Sequence, residues 1–330
     1  MNDAYRTPQS PPFIAPLPAG INRPIWSVMI PVYNCMAYLE ANLKSVLNQD
    51  LGEDIMQIEV IDDGSTDGDI EAFVNKIGNG RVSYFRQNEN VGSLRNFETC
   101  IQRSKGHYIH LFHGDDVVIK GFYEEIKTLF DEYPEIGAAF TDYQYMDDNG
   151  DKMWDNEKLI EPRGIVENFL HKIGSNQLLQ TCAIVVKRDT YETLGGFYGV
   201  HYGEDWEMWA RIAAHYSVAY SPKVLAKYRV HQENISFNSL TSGQNIHDIS
   251  KVIKTIEQYL PKKEAKKITK NARKNFSQHY ARIAHQVYHH SYNTVGALAQ
   301  THGALKLDIN KVSVTQALKM YTKLLIRYRN

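Results

Sequence analysis

Two pairs of adjacent acids are the residues in this 330-residue chain best suited to chemistry. The first lies in His113-Gly114-Asp115-Asp116, directly after the apolar run Tyr108-Ile109-His110-Leu111-Phe112. Adjacent carboxylates at a strand end repel each other unless a cation or strong donors stand between them, and oxygen-ligated Mg2+ or Mn2+ on a nucleotide diphosphate suits that place. A hydrogen-bonded turn with one helix-capping Asp explains the same residues without a metal. The second pair lies in Gly203-Glu204-Asp205-Trp206-Glu207-Met208-Trp209, at the start of a helix. The helix dipole alone favours acids in a first turn. Two tryptophans bracketing a carboxylate also suit the apolar faces of a sugar ring and a base that takes a hydroxyl proton.

Four further segments have types and positions that fit a ligand. Pro31-Val32-Tyr33-Asn34 puts an aromatic ring and an amide together, a pair able to stack on a planar base and bond its edge, although Tyr33 as a packing residue and Asn34 as a helix cap fit equally. Asp62-Asp63-Gly64-Ser65-Thr66-Asp67 offers carboxylates and hydroxyls, with Asp63 able to accept from a base or ribose; the alternative is a turn in which Asp62 or Ser65 caps the next helix. In Asn90-Val91-Gly92-Ser93-Leu94-Arg95-Asn96, free backbone NH groups and Arg95 suit a diphosphate at a helix start. Tyr228-Arg229-Val230-His231 ends a strand and sets a guanidinium and an imidazole on one side by two-residue alternation.

These segments need elements to hold them, and the hydrophobic pattern supplies them. Strands are expected at 26–31, 57–61, 82–86, 107–112 and 137–143, separated by helices at 37–49, 67–77, 92–104 and 120–132. Such alternation predicts a parallel sheet covered on both faces, with ligands at the carboxyl ends of the strands. Further strands are expected at 181–187, 218–221 and 224–229, and a helix from Glu204 to about His215. Beyond 242 apolar residues recur every three or four positions, the mark of amphipathic helices. Residues 1–24 hold six of the eleven prolines and read as an extended arm without chemistry. The division expected is therefore an arm at 1–24, an α/β domain at 25–240 and a basic helical region at 241–330.

Composition excludes several classes. With 43% hydrophobic and 23% charged residues, wholesale disorder is ruled out. No run approaches the roughly 18 apolar residues of a membrane-spanning helix, and no secretory signal is evident at the N-terminus. Three scattered cysteines make neither a disulfide framework nor a zinc site, so a cytoplasmic location is expected. The net charge of -1 hides an asymmetry: residues 251–330 carry sixteen Lys and Arg against three acids, a net of +13.

In this order and spacing the six segments resemble an inverting glycosyltransferase of family 2 with the GT-A fold, over about residues 26–236. The resemblance implies a nucleotide-diphosphate sugar donor, usually of uridine, held by Pro31, Tyr33, Asn34 and Asp63, with Arg95 near the base or pyrophosphate and Gly114, Asp115, Glu204 and Trp206 also at the donor. It implies Mn2+ or Mg2+ on Asp115, Asp116 and His231. The family commonly has Asp where His113 stands, a departure that leaves His113 as a further contact. Asp205 matches the catalytic base, which takes the proton of an acceptor hydroxyl on a glycan or lipid-linked molecule.

A nucleotidyltransferase shares the sheet and the acidic site but usually carries a glycine-rich phosphate loop, absent after the first strand here. A non-catalytic sugar-nucleotide-binding module is the other alternative. The basic helices fit either peripheral contact with an anionic membrane, on the inner face of the cell membrane, or a homo-oligomer interface. Nucleic acid is not expected as a partner.

Overall fold

The computed structural model describes residues 3–156, 159, 161–231, 235–291 and 293–326. Ten strands are assigned among them: β1 (Trp26–Val32), β2 (Met56–Asp62), β3 (Ser83–Arg86), β4 (Tyr108–Leu111), β5 (Val117–Val118), β6 (Ala138–Met146), β7 (Lys152–Asp155), β8 (Gly164–Ile165), β9 (Ile184–Lys187) and β10 (Val218–Arg229). They form one sheet in the order β3-β2-β1-β4-β9-β6-β10-β5, with β7 beside β6 and β8 beside β10. Pairing is parallel from β3 to β4 and again between β6 and β10, while β9 runs antiparallel to β4 and β6.

All seven residues of β1 are buried, which is why, apart from Ser27, it reads as an apolar run and not as an alternation. Helices Met36–Leu47, Ile70–Gly78 and Ser93–Arg103 follow β1, β2 and β3. Leu39, Leu43 and Val46 of the first pack into one core with Val28, Ile30 and Val60.

Several boundaries differ from the sequence expectation. The strands expected at 218–221 and 224–229 are one strand, β10, whose register with β6 slips around Pro222, a residue with no NH for the ladder. Thr181–Ala183 forms a 3-10 turn ahead of β9. The helix expected from Asp67 begins at Ile70, and its cap is Asp69, not Asp62 or Ser65.

By contacts the chain divides into two compact units. A sheet unit comprises Met1–Glu167, Leu179–Gly199 and His215–Val230; a helical unit comprises Asn168–Leu178, Val200–Ala214 and His231–Asn330. The proline-rich arm is part of the sheet unit. Gly196 and Gly199 donate their NH groups to the carbonyls of Pro12 and Pro8, and Ile14 is fully buried. In the helical unit, helices Gln244–Tyr259, Lys262–Ser291, Thr294–Leu307 and Lys311–Leu325 bear out the three-and-four periodicity.

Candidate active site

In the sheet unit the loops after β1 and β2 are laced together. Asn34, in the left-handed region at φ 49°, accepts from Thr66 N through Oδ1 at 2.7 Å and donates its own NH to Ser65 Oγ at 3.0 Å. Asp67 accepts from Met36 N at 2.8 Å, and Asp63 N donates to the Val32 carbonyl at 2.8 Å. Tyr33 stays 52% exposed beside this lattice, leaving its ring free to stack. Pro31 is buried, and its carbonyl accepts from Gly114 N at 3.3 Å.

The two acids of the β2 loop have different surroundings. Asp62 is fully buried and accepts from Tyr84 Oη and Ser65 N while pairing with Arg86, a structural role. Asp63 organises the next loop: Oδ1 accepts from Val91 N at 2.7 Å, and Oδ2 from Gly92 N and Asn90 Nδ2, both at 2.9 Å. Burial pushes the Asp63 carboxyl up, opposed by these amides and by Arg6. Gly64, at φ +79°, lets the two loops close, since a Cβ there would lie 3.3 Å from Asn90 N. Arg95 is held by the Tyr5 carbonyl at 2.8 Å and Glu98 at 2.6 Å, with its guanidinium over the Tyr5 ring.

The turn after β4 gathers the acids. Among the described residues, His113, Asp115 and Asp116 form the one group of three or more potential ligands, with an atom of each within 4.8 Å of the others. Gly114 is required for the close pass under the β1 loop: a Cβ would lie 2.9 Å from Cys35 Sγ. Asn42, fully buried on helix Met36–Leu47, donates to the carbonyls of His113 at 2.7 Å and Asp116 at 3.0 Å and so fixes the turn. The sequence reading missed Asn42; its signal is a polar residue on the apolar face Leu39, Leu43, Val46.

Asp116 is 1% exposed, and its Oδ1 accepts from Arg229 N at 2.9 Å. Burial first, then the charge of Asp115, pushes its carboxyl well up. The Cys182 thiol is a weak donor toward this carboxyl, and Oδ2 has no conventional partner. His113 lies parallel to Phe97 at 5.2 Å, burial holds its imidazole toward the neutral form, and Nε2 also lacks a hydrogen-bond partner. Two carboxylates and a neutral imidazole, with buried atoms short of partners, fit a divalent cation such as Mg2+ or Mn2+. Arg229 is spent locally, on the carbonyls of Asp115, Asp147 and Asp148.

In the helical unit, helix Glu204–His215 begins where the sequence predicts. Asp205 is half-buried; its Oδ2 accepts from Gln177 Nε2 and its Oδ1 from Trp206 N, both at 2.7 Å. Burial pushes its carboxyl up to about 6, against the pull of those two donors. Glu204 is pushed well up, first by burial and then by Asp205. The expectation that Trp206 meets the sugar is corrected. Trp206 and Trp209 are 0% and 1% exposed, and Trp206 donates Nε1 to the Ile173 carbonyl at 2.6 Å and packs on Phe276. Helical phase turns both rings into the core of this unit and leaves no face for a ligand. His231 is 8% exposed and belongs to this unit; it is not among the three clustered donors.

Comparison with known proteins follows this geometry. The chain is 25% identical to an uncharacterised protein of Mycobacterium tuberculosis over 70% of its own length and 75% of that protein's. It is 26% identical to the minor teichoic acid biosynthesis protein GgaB of Bacillus subtilis over 54% of its length, but spans only 20% of GgaB. Among solved structures, residues 1–349 of S. aureus TarS superpose with a TM-score of 0.59 at 13% identity, covering 92% of each chain. The mannosyltransferase PcManGT from Pyrobaculum calidifontis, in complex with GDP-Man and Mn2+, gives 0.57 at 17% identity over 96% of this chain and 84% of that one. These likenesses share the GT-A fold. The profile of Glycosyl transferase family 2 matches residues 27–195, more than half of the sequence, and the chain belongs to that family of transferases.

Proposed function

We propose that the protein transfers a sugar, with inversion, from a nucleotide-diphosphate donor, a UDP-sugar in the first instance, to a hydroxyl of a glycan or lipid-linked acceptor. The observation that carries this reading is the His113, Asp115, Asp116 cluster at the carboxyl end of β4, next to the laced loops of Pro31 to Asn34 and Asp62 to Asp67. Structural neighbours solved with GDP-Man, UDP-GlcNAc and UDP support a nucleotide-sugar donor. The teichoic acid assignment of GgaB supports a cell-envelope polysaccharide as acceptor class, and with it a cytoplasmic place of action.

Tyr33 stacks on the base, Asn34 and Asp63 bond its edge or the ribose, and Gly114 lets the diphosphate approach the turn. Asp115 and Asp116 hold a divalent cation, with His113 beside them. Bound Mg2+ or Mn2+ supplies charge neutralisation for the departing nucleoside diphosphate. The acceptor oxygen attacks the anomeric carbon, the bond to the diphosphate oxygen breaks, and Asp205 takes the hydroxyl proton. Its carboxyl, at about 6, is ionised at neutral pH yet basic enough to accept a proton, and Gln177 and the Trp206 amide keep it oriented. Asp205, Glu204, Arg95 and His231 enter by resemblance to the family's base, donor contacts and late metal ligand.

A panel of nucleotide sugars scored by thermal shift and by donor hydrolysis, with Mn2+, Mg2+ or chelator, tests the reading. The correct donor raises the unfolding midpoint by mass action only when metal is present. Binding of no nucleotide sugar in the presence of metal overturns it.

A further inference from the structure

We propose that the C-terminal helices form a docking surface for an anionic lipid bilayer, built from an exposed apolar stripe on helix Lys311–Leu325 and a lysine stripe on helix Lys262–Ser291. This inference does not depend on the donor chemistry. The C-terminal helix has two apolar faces. Ala317 and Met320 are buried, Met320 in a cluster with Ala284, Val287 and Tyr288 of the long helix. Val314, Leu318, Tyr321 and Leu325 are exposed, at 38%, 63%, 42% and 84%. They stand at i, i+4, i+7 and i+11, on one line along the helix. Single exposed apolar residues are ordinary on a protein surface; a collinear row of four marks an interaction face.

A stripe of cations lies on the long helix of the same unit. Lys263, Lys267, Lys270 and Lys274 repeat that same spacing on the long helix, are exposed, and among the described residues take part in no ion pair. Continued along the helix, the stripe reaches Ser277, Ala284 and Tyr288. Ser277 Oγ donates to the Asp308 carbonyl at 2.7 Å, just ahead of the C-terminal helix, and Ala284 and Tyr288 pack against Met320. The C-terminal helix therefore covers the far part of the face whose near part shows the lysines.

Sixteen Lys and Arg against three acids over residues 251–330 fit an anionic partner. A bilayer uses both features, taking Leu318 and Leu325 into the acyl boundary and giving the lysines its phosphates. A symmetric contact with a second copy through the apolar row leaves the lysine stripe without an anionic partner. Nucleic acid leaves the apolar row unused. Among the described residues no helix is long and apolar enough to cross a membrane.

The test is flotation of the full chain with vesicles of phosphatidylcholine alone and of phosphatidylcholine mixed with phosphatidylglycerol. Binding is expected only with the anionic lipid and falls as salt rises. In Lys263→Gln/Lys267→Gln/Lys270→Gln, affinity falls about fivefold per lysine. In Leu318→Ser/Leu325→Ser it falls roughly tenfold, with the unfolding midpoint held because both side chains are exposed. Equal flotation on both lipids, or wild-type binding by either variant, overturns the proposal. So does a dimer in light scattering that Leu318→Ser/Leu325→Ser dissociates while vesicle binding is unchanged, which assigns the row to a contact between copies.

Discussion

Both acid pairs follow a glycine, Gly114 and Gly203, yet the two units treat them differently. In the sheet unit, Asp116 is almost fully buried beside Asp115, receives one amide at Oδ1, and keeps Oδ2 without a conventional partner next to the unpartnered Nε2 of His113. In the helical unit, Asp205 is half-buried and has a neutral donor on each oxygen. The first arrangement holds two acids side by side with too few donors, which favours either a proton or a cation between them. The second orients a carboxyl, whose ionisation falls at about 6, without neutralising it. Under the function proposed above the two pairs take separate tasks, binding a metal and accepting a proton, and the hydrogen-bond donors around each pair are what distinguish them.

Asp205→Asn is the sharpest way to break that comparison. The substitution keeps volume and the acceptor for Trp206 N but cannot take a proton. Transfer should fall about 100- to 10,000-fold while donor-induced thermal shift is unchanged. Turnover above about one tenth of wild type removes Asp205 from the base role.

Metal removal probes the other pair. Chelation should suppress transfer, with Mn2+ or Mg2+ restoring it. A metal at a hundredfold excess over its dissociation constant stabilises the fold by about 2.7 kcal/mol. That rise in the unfolding midpoint should vanish in Asp116→Asn, which leaves the metal-free protein no less stable because a buried like charge is gone. Asp205→Asn should keep the metal shift. If both variants lose it, the two pairs do not divide the tasks.

The pH profile separates them more finely. A base must be ionised to act, so transfer should fall as pH drops through about 6, tenfold per further pH unit. Gln177 stabilises the ionised Asp205. Gln177→Leu should therefore move the acid limb upward by roughly one pH unit while leaving the plateau rate in place. An unmoved limb means that another group governs it.

The positions of the acid pairs, at a strand end and a helix start, were legible in the sequence because each follows a glycine at the edge of an apolar element. β1, β2, β4 and β6 were legible as well, since each holds several buried apolar residues close together. β5 and β8, two residues each, and the fully exposed β7 carry no such pattern. Trp206 misled because a tryptophan beside an acid looks like a sugar platform, and only the helix's phase against Phe276 and Ile173 shows it turned inward. The lacing of Asn34 to Thr66 joins residues 32 apart and is invisible to local pattern.

Arg6 was the least legible of the site's neighbours, one of two arginines in an arm without periodicity. Its guanidinium donates to the Asn90 carbonyl at 3.0 Å and to Asn90 Oδ1 at 2.5 Å, and its charge acts on Asp63. Asn90 in turn donates to Asp63, and the next arm residue back, Tyr5, holds Arg95. The arm therefore braces the loop whose amides fix Asp63, on the sheet unit alone. Arg6→Gln should raise the donor KM by roughly fivefold, the value of one hydrogen bond from a charged group at a partly exposed place, and leave kcat and the acid limb unmoved. A changed kcat with KM held would move Arg6 from bracing the donor loop to the chemical step.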